Sequence, residues 1–268
     1  MDNIFFIIGF SRSGTTAVAK ILNTASNASV FVEQPPQMCI ASRMRYEGNL
    51  PEPKEFILKS KEKQIQDVQK QGMIYGDKNM NYLYFVKEMR ELWPCKFVFL
   101  VRDGREVVSS AMNWDRKHPG RNYNRYEDHP DSDITQPEED FWDFGRIRPL
   151  KNNQIFSRWK SMDLFEKFAW SWNEYNKILI EHVKKLDQEE FIILDMSNVC
   201  VENIFQTFEF LNLNGYMKSK VSEMMKSKIN TTHAEESQKF QHWSDWDEKM
   251  NRKFECYASE MMGKLGYF

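Results

Sequence analysis

An early loop of the chain combines glycines, hydroxyl side chains and an arginine at a spacing that suits anion binding. Gly9 and Gly14 are separated by four residues, and Arg12 lies between them. The hydroxyl groups of this stretch belong to Ser11, Ser13, Thr15 and Thr16. The first N–H groups of a helix have no intrahelical partner and lie at the positive end of the helix dipole. A glycine loop that opens a helix therefore predicts a site for a phosphate or a similar anion.

The residues on either side of the loop predict the strand and the helix that such a site needs. Residues 4–8 are a run of apolar β-formers, typical of a buried strand in a parallel sheet. After the loop, apolar residues recur at helical spacing at Ala17, Val18, Ile21 and Leu22. The glycine spacing is that of a phosphate-binding P-loop, but Thr15 stands where that loop has the lysine that grips a nucleoside triphosphate. The loop is therefore expected to bind a phosphate-like anion without the usual grip on ATP or GTP.

Two charged residues follow predicted strands, at the edge where open α/β sheets bind their ligands. Glu33 comes after the strand predicted over residues 29–32 and before two prolines. Lys78 ends the strand predicted over residues 73–78. Taken alone, each is more often a solvated surface charge. Their common position at the carboxyl ends of strands makes them candidates for a role beside the loop.

A second candidate phosphate site follows the strongest strand pattern of the chain. Residues 97–101 are all apolar, and Arg102 comes directly after them. Ser110 lies eight positions further on, about two turns into the helix predicted over residues 106–113. An arginine fork with a nearby hydroxyl group is a good receptor for a second phosphate.

These motifs, in this order, resemble those of the sulfotransferases that use 3′-phosphoadenosine 5′-phosphosulfate (PAPS). Residues 12–16 resemble the family's 5′-phosphosulfate loop, and residues 102–110 resemble its 3′-phosphate site. The likeness extends to Gly-Asp-Lys at residues 76–78 and to Glu33, which lies 21 positions after Arg12. It is closest to the bacterial and protein-tyrosine branch, in which a glutamate downstream of the loop arginine is the base. The histidine that the small-molecule branch carries after its lysine is absent here, since Asn79 follows Lys78.

The resemblance implies a fold, a reaction and a set of site residues. The implied fold is α/β, with a P-loop-like, mainly parallel sheet and helices on both faces, as one domain over residues 1–268. The implied reaction moves the sulfuryl group of PAPS to an acceptor hydroxyl, leaves adenosine 3′,5′-bisphosphate (PAP) and requires no metal. Glu33 would be the general base, Lys78 would stabilise charge on the bridging oxygen, and Arg12 would act on the transferring group. The residues expected to bind the nucleotide are Arg12, Ser13, Gly14, Thr15, Thr16, Arg102 and Ser110.

The chain after the second motif is less informative. Residues 114–153 lose regular patterning and mix aromatic with charged side chains, which favours either an acceptor-binding lid or a plain surface insertion. His118 and His129 lie in this stretch, but no partner pattern supports a metal site. The family closes over the nucleotide from its C-terminal region, so the resemblance makes Lys228, Trp243 and Trp246 candidates for contacts there. Where the family often carries a tyrosine and a glutamate after a later strand, this chain has Asp195 and a methionine, which leaves any role for Asp195 open.

Composition limits the other possibilities. A net charge of -2 gives no reason to expect binding to nucleic acid or to an anionic membrane. No apolar run is long enough to span a bilayer. Acidic Asp2 precedes the first apolar run, so no signal peptide is expected. The scattered cysteines, Cys39, Cys95, Cys200 and Cys256, fit reduced thiols and a cytoplasmic location.

Two other function classes remain open from the sequence. One is a P-loop kinase or NTPase for small molecules, which the threonine at position 15 argues against. The other is a non-catalytic module that binds PAP, which would need neither Glu33 nor Lys78. The acceptor of a sulfotransferase reaction stays equally open among small alcohols, carbohydrates, lipids and peptide tyrosines, and so does the oligomeric state.

Overall fold

The computed structural model describes residues 3–32, 37–118, 123, 145–227 and 239–268. The chain forms two compact units. The first comprises Met1–Gln34, Pro51–Arg102 and Ile178–Thr231, and the second comprises Pro35–Leu50, Asp103–Lys177 and Thr232–Phe268. In the described parts of the chain, the first unit contains the sheet and the second is helical. The expectation of a single domain over residues 1–268 stays a prediction.

The first unit is built on a five-stranded sheet in the order β2-β3-β1-β4-β5. The strands are β1 Ile4–Gly9, β2 Ala28–Val32, β3 Ile74–Lys78, β4 Lys96–Val101 and β5 Phe191–Asp195. Every neighbouring pair is parallel. The chain extends the sheet on one side of β1 through β3 and on the other through β4, so the strand order reverses beside β1. Open α/β sheets bind ligands outside the carboxyl ends of the strands at such a reversal.

Nine α-helices accompany these strands in the described residues. In chain order they are α1 Thr15–Leu22, α2 Gln37–Glu47, α3 Pro53–Gln69, α4 Val86–Leu92, α5 Gly104–Lys117, α6 Leu164–Val183, α7 Val201–Phe210, α8 Lys218–Lys226 and α9 Glu248–Lys264. Short 3-10 helices lie at Met80–Phe85, Phe156–Ser161, Gln188–Glu190 and Trp243–Asp245. The second unit holds α2, α5, α9 and most of α6.

Both faces of the sheet are covered within the first unit, which explains why the β1 sequence is apolar without alternation. Phe5 and Ile7 join the core that α1, α7 and α8 complete. The side chain of Phe6 lies between those of Phe5 and Ile7 in the sequence and therefore points to the opposite face, where it contacts the rings of Tyr82 and Trp93. Each fully buried phenylalanine or isoleucine contributes about 1.5–3 kcal/mol through removal of its surface from water. The expected α/β fold with helices on both faces is confirmed, and the sheet is parallel throughout.

Several helix boundaries differ from those that periodicity predicts. The helix after Arg102 continues to Lys117, four residues past its expected end at 113, so the irregular stretch begins later than residue 114. The segment expected to be one helix over residues 81–93 is a 3-10 helix followed by α4. Among the described residues, no helix combines the length and the apolar character that crossing a membrane requires.

Candidate active site

The glycine loop lies between β1 and α1, as predicted. At Gly9 an added Cβ would lie 2.8 Å from Cγ2 of Thr15 and 2.9 Å from the carbonyl oxygen of Leu100. Only glycine therefore allows the strand end, the first helical turn and β4 to approach so closely. Gly14 caps the helix with a φ of +85°, a conformation that costs other residues conformational energy. Its missing side chain leaves room for Met196, whose terminal methyl would lie 2.9 Å from an added Cβ.

The start of α1 has the geometry of an anion site. The N–H groups of Ala17 and Val18 both bond to the carbonyl oxygen of Gly14, at 3.0 and 3.2 Å. Thr15 and Thr16 come before these bonds, so their N–H groups lie at the positive end of the helix dipole. The N–H of Ser13 bonds back to the carbonyl oxygen of Phe10 at 3.1 Å, which closes the loop as a turn. The predicted order of strand, glycine turn and helix is confirmed, while the role of each residue in nucleotide binding stays a prediction.

Arg12 has an uncommon backbone conformation within this loop. Its φ is +69°, in the left-handed region that non-glycine residues seldom adopt. The Nη1 group of Arg102 donates a hydrogen bond of 3.0 Å to the carbonyl oxygen of Arg12. Backbone strain of this kind persists where the surroundings fix it, and it concentrates at functional sites. The structure therefore brings Arg102 of the second motif against the loop of the first.

Lys78 lies at the carboxyl end of β3. It pairs in register with Ile7 of β1 and Val32 of β2. Because paired residues of a sheet point to the same face, Lys78 shares the face of Ile7, which is the face that α1 covers. Only 3% of Lys78 is exposed. A buried lysine is uncommon unless charged or polar groups surround it, which makes this residue more than a surface charge.

Asp77 points to the other face and takes part in a contact that the sequence patterns did not indicate. Its Oδ2 atom lies 2.6 Å from Nζ of Lys61 on α3. Lys61 belongs to a helix rich in lysine, glutamate and glutamine, which predicts a solvated face, yet only 3% of its side chain is exposed. Two sequence signals were available. Lys61 lies four residues from both Ile57 and Ile65, on the buried stripe of α3, and Asp77 precedes a candidate catalytic lysine.

Ser110 and the remainder of the second motif lie in the second unit. Ser110 is half-buried on α5. Asp103 caps this helix by accepting a bond of 2.8 Å from the N–H of Arg105. The Arg105 side chain bonds back to Asp103 and to the carbonyl oxygen of Tyr267, and it stacks over the Trp243 ring at 4.2 Å. The hydrogen bonds to Asp103 raise the pKa of Arg105, although burial opposes them. The stacking of Arg105 on Trp243 is therefore a structural contact within the second unit.

Three residues singled out from the sequence lie outside the described residues, namely Glu33, His129 and Lys228. His118 is the C-terminal cap that follows α5, and its ring lies 4.7 Å from that of Trp114. Trp246 packs within the second unit, against the rings of Phe165 and Phe254. In the parts of the chain that the structure describes, no three His, Cys, Asp or Glu side chains come together as metal ligands. The expectation that the reaction needs no metal stays a prediction.

Comparison with known proteins assigns the chain to a family. The sequence profile described as the sulfotransferase family matches residues 5–144. The chain belongs to the sulfotransferase family. This match covers more than half of the chain, from β1 through the loop, β3 and β4 to beyond α5. The resemblance that the two motifs carry is therefore confirmed at the level of the family.

Solved sulfotransferase structures are among those similar to this chain, and one of them has a TM-score above 0.5. Mouse sulfotransferase SULT7A1, solved in complex with PAP, has a TM-score of 0.51 at 14% identity, with 97% of this chain and 84% of that chain covered. The sulfotransferase domain from the curacin biosynthetic pathway has a TM-score of 0.49 at 13% identity, with 100% and 99% covered. A sulfotransferase from Alicyclobacillus acidocaldarius has a TM-score of 0.44 at 13% identity, with 99% and 94% covered. No curated protein sequence matches the chain significantly.

Proposed function

We propose that this sulfotransferase uses PAPS and moves its sulfuryl group to an acceptor hydroxyl. The observation that carries the proposal is the hydrogen bond from Arg102 to the carbonyl oxygen of Arg12. Through it, the arginine of the motif that resembles a 3′-phosphate site lies against the loop that resembles a 5′-phosphosulfate site. A nucleotide with a phosphate at each of these positions fits such an arrangement better than one with a linear triphosphate. Family membership supports the reaction, and the residues present support the donor.

The loop binds the 5′ end of the donor in this proposal. Arg12 supplies a cation, and the N–H groups at the start of α1 supply donors for the oxygens of the phosphosulfate. The hydroxyl groups of Thr15 and Thr16 add neutral donors at the same place. Arg102 and Ser110 bind the 3′-phosphate, which distinguishes the donor from ADP and ATP. SULT7A1, a relative in fold, was solved with PAP, the product that such a donor leaves.

Two residues act on the reacting atoms. Sulfuryl transfer, like phosphoryl transfer, depends mainly on positioning and on stabilisation of charge in the transition state. Glu33 accepts the proton of the acceptor hydroxyl as general base, and Lys78 stabilises the charge that develops on the bridging oxygen when the bond to sulfur breaks. Lys78 is suited to this role because it is buried at the carboxyl end of β3, one strand from the loop. The role of Glu33 rests on the resemblance to the family branch with a glutamate base and on its sequence position 21 residues after Arg12.

One observation argues against each competing function. A kinase or NTPase would need a cation in place of Thr15 to hold the β- and γ-phosphates. A module that only senses PAP would have no use for a buried lysine at the end of β3. We also propose a cytoplasmic location, because the scattered cysteines fit reduced thiols. The net charge of -2 supports the proposal that the protein has no nucleic-acid partner.

An acceptor screen with radiolabelled PAPS tests the proposed function. Small alcohols, phenols, carbohydrates, lipids and tyrosine peptides are offered in turn, and transfer of label to the acceptor is measured. The proposal expects transfer to at least one class, abolished or strongly reduced in Lys78→Ala. Lys59→Ala is the matched control, because Lys59 is exposed on α3 and pairs only with Glu55 in the described contacts. Tight binding of ATP with Mg²⁺ and no transfer from PAPS would favour the kinase reading instead.

A further inference from the structure

A buried ion pair joins α3 to the end of β3. Nζ of Lys61 lies 2.6 Å from Oδ2 of Asp77, and the two side chains are 3% and 0% exposed. Burial of both charges costs desolvation energy that their mutual attraction does not always recover. The neighbouring pair on the same helix, Lys59 with Glu55, is exposed and carries no such cost. The buried pair therefore needs an explanation other than general stability.

Two tyrosines complete the cluster around the same carboxylate oxygen. Tyr75 and Tyr82 donate hydrogen bonds to Oδ2 of Asp77, at 2.7 and 2.6 Å. Burial, and then the negative charge of Asp77, raises the pKa of both tyrosines well above the ordinary value, so both hydroxyl groups remain donors. The other oxygen of Asp77, Oδ1, accepts no hydrogen bond from any described residue. Three donors thus hold one oxygen, which fixes the direction of the carboxylate.

The cluster holds the strand residue that precedes Lys78. Asp77 lies opposite Phe6 of β1, and Lys78 lies opposite Ile7, so the two side chains leave β3 on opposite faces. On the far side of Lys78, the N–H of Asn79 bonds to the carbonyl oxygen of Ile7 at 3.3 Å. Lys78 is therefore enclosed between an anchored aspartate and a backbone bond to the central strand.

We propose that Lys61 and Asp77 are positioning residues for Lys78. Their ion pair holds the end of β3 against α3 and so fixes the position of the Lys78 backbone. The long Lys78 side chain then reaches the reacting group from a constant position. The inference rests on the proposed role of Lys78 in sulfuryl transfer. Its physical ground is that a misplacement of about 1 Å at a catalytic group can cost ~10²-fold in rate. A costly buried pair at the residue next to such a group is then retained for geometry.

A double-mutant cycle between Asp77 and Lys78 tests the inference. Asp77→Asn is expected to lower kcat by ~10- to 10²-fold, with the affinity for PAP unchanged. In the Lys78→Ala background the same substitution should lower kcat no further, because the group it positions is gone. Glu55→Gln, which breaks the exposed pair on the same helix, is the control and should leave kcat at the wild-type value.

A second variant keeps the test valid where Asp77→Asn fails to fold. Lys61→Met, Tyr75→Phe, Asp77→Leu and Tyr82→Phe together replace the ion pair and both tyrosine hydroxyl groups by apolar groups of similar volume, a change that proteins often tolerate without loss of stability. We expect this variant to unfold near the wild-type temperature and to bind PAP. Its kcat should nevertheless be reduced as in Asp77→Asn. Wild-type kcat in a folded cluster variant would overturn the inference.

The outcomes separate this inference from the proposed function. If Lys78→Ala lowers kcat and Asp77→Asn lowers it equally in both backgrounds, only the positioning role is overturned. If Lys78→Ala leaves kcat unchanged, the role of Lys78 fails and the positioning role with it. If no acceptor receives the sulfuryl group from PAPS, the proposed function and the inference are both overturned.

Discussion

Nη1 of Arg102 lies 3.0 Å from the carbonyl oxygen of Arg12 and donates a hydrogen bond to it. The bond joins the residue that follows β4 to a loop residue held at a φ of +69°. A guanidinium group has five N–H donors, so this bond uses one of them. Arg102 therefore serves the loop conformation in the structure, and in the proposed function it serves the 3′-phosphate as well.

The double role of Arg102 predicts a selective loss of affinity. Arg102→Ala should weaken the binding of PAP by about 1.5–3 kcal/mol, the contribution of charge-assisted hydrogen bonds. AMP, which lacks the 3′-phosphate, should lose less, since only the support of the loop is removed. Calorimetric titration with both nucleotides measures the difference, with Arg252→Ala, an exposed arginine of the second unit, as control. Equal losses for PAP and AMP would mean that Arg102 supports the loop alone.

The general base is predicted from the resemblance to the sulfotransferase branch with a downstream glutamate. Glu33→Gln keeps the size of the side chain but cannot accept a proton, so turnover should fall by about 10²–10⁴-fold. Affinity for PAP should change little, because the residue is expected to face the acceptor. Turnover is measured on the preferred acceptor beside PAP titration, with Glu55→Gln as control. Near-wild-type turnover on an aliphatic alcohol would remove Glu33 from the mechanism and direct attention to His118 and His129.

Alanine substitutions at two glycines with positive φ distinguish an effect on backbone strain from an effect on nucleotide binding. Gly14 and Gly72 have φ values of +85° and +71°, but an added Cβ would meet Met196 at Gly14 and nothing within 4 Å at Gly72. Alanine at either position should destabilise the protein by about 1–2 kcal/mol, the cost of the left-handed conformation. Only Gly14→Ala should also weaken PAP binding. Thermal unfolding and PAP titration of both variants check this, and a similar loss of affinity in Gly72→Ala would contradict it.

The start of α6 predicts a pH dependence of stability. Asp163 and Glu166 bond reciprocally to each other's backbone N–H groups, and Lys253 bonds to Asp163. Burial alone would raise the pKa of Asp163, but the bonds from Lys253 and the backbone outweigh it and lower the pKa. A lowered folded-state pKa adds stability above the unfolded value of about 3.9, and this is lost as pH falls through the folded value.

Asp163→Asn isolates that charge effect, because asparagine caps a helix about as well as aspartate. The variant should be less stable than the wild type at pH 7, and the difference should shrink as the pH falls below about 4. Thermal unfolding of both proteins from pH 7 to pH 2 measures it. A difference that stays constant over this range would show that the charge of Asp163 does not contribute.

Local patterns predicted the sheet and the loop because both depend on short stretches of sequence. The apolar run of residues 4–8 and the glycine spacing specify β1 and the turn after it without reference to the rest of the chain. The partnership of Lys61 with Asp77 could not be predicted in this way. It joins residues 16 positions apart, and the charge-rich surroundings of Lys61 are those of a solvated helix. Helical spacing places Lys61 on the apolar stripe of α3, four residues from Ile57 and from Ile65. Only the packing of α3 on the sheet shows which carboxylate the lysine meets there.

Selectivity between nucleotides tests the proposed use of PAPS without any acceptor. Wild-type protein is titrated in a calorimeter with PAP, with ADP and with ATP plus Mg²⁺, and its unfolding temperature is measured with each. PAP is expected to bind at least ~10-fold more tightly than either, a difference of about 1.4 kcal/mol. At about 100 times its dissociation constant, PAP should add about 2.7 kcal/mol of stability. Equal or tighter binding of ATP with Mg²⁺ would contradict the proposed use of PAPS.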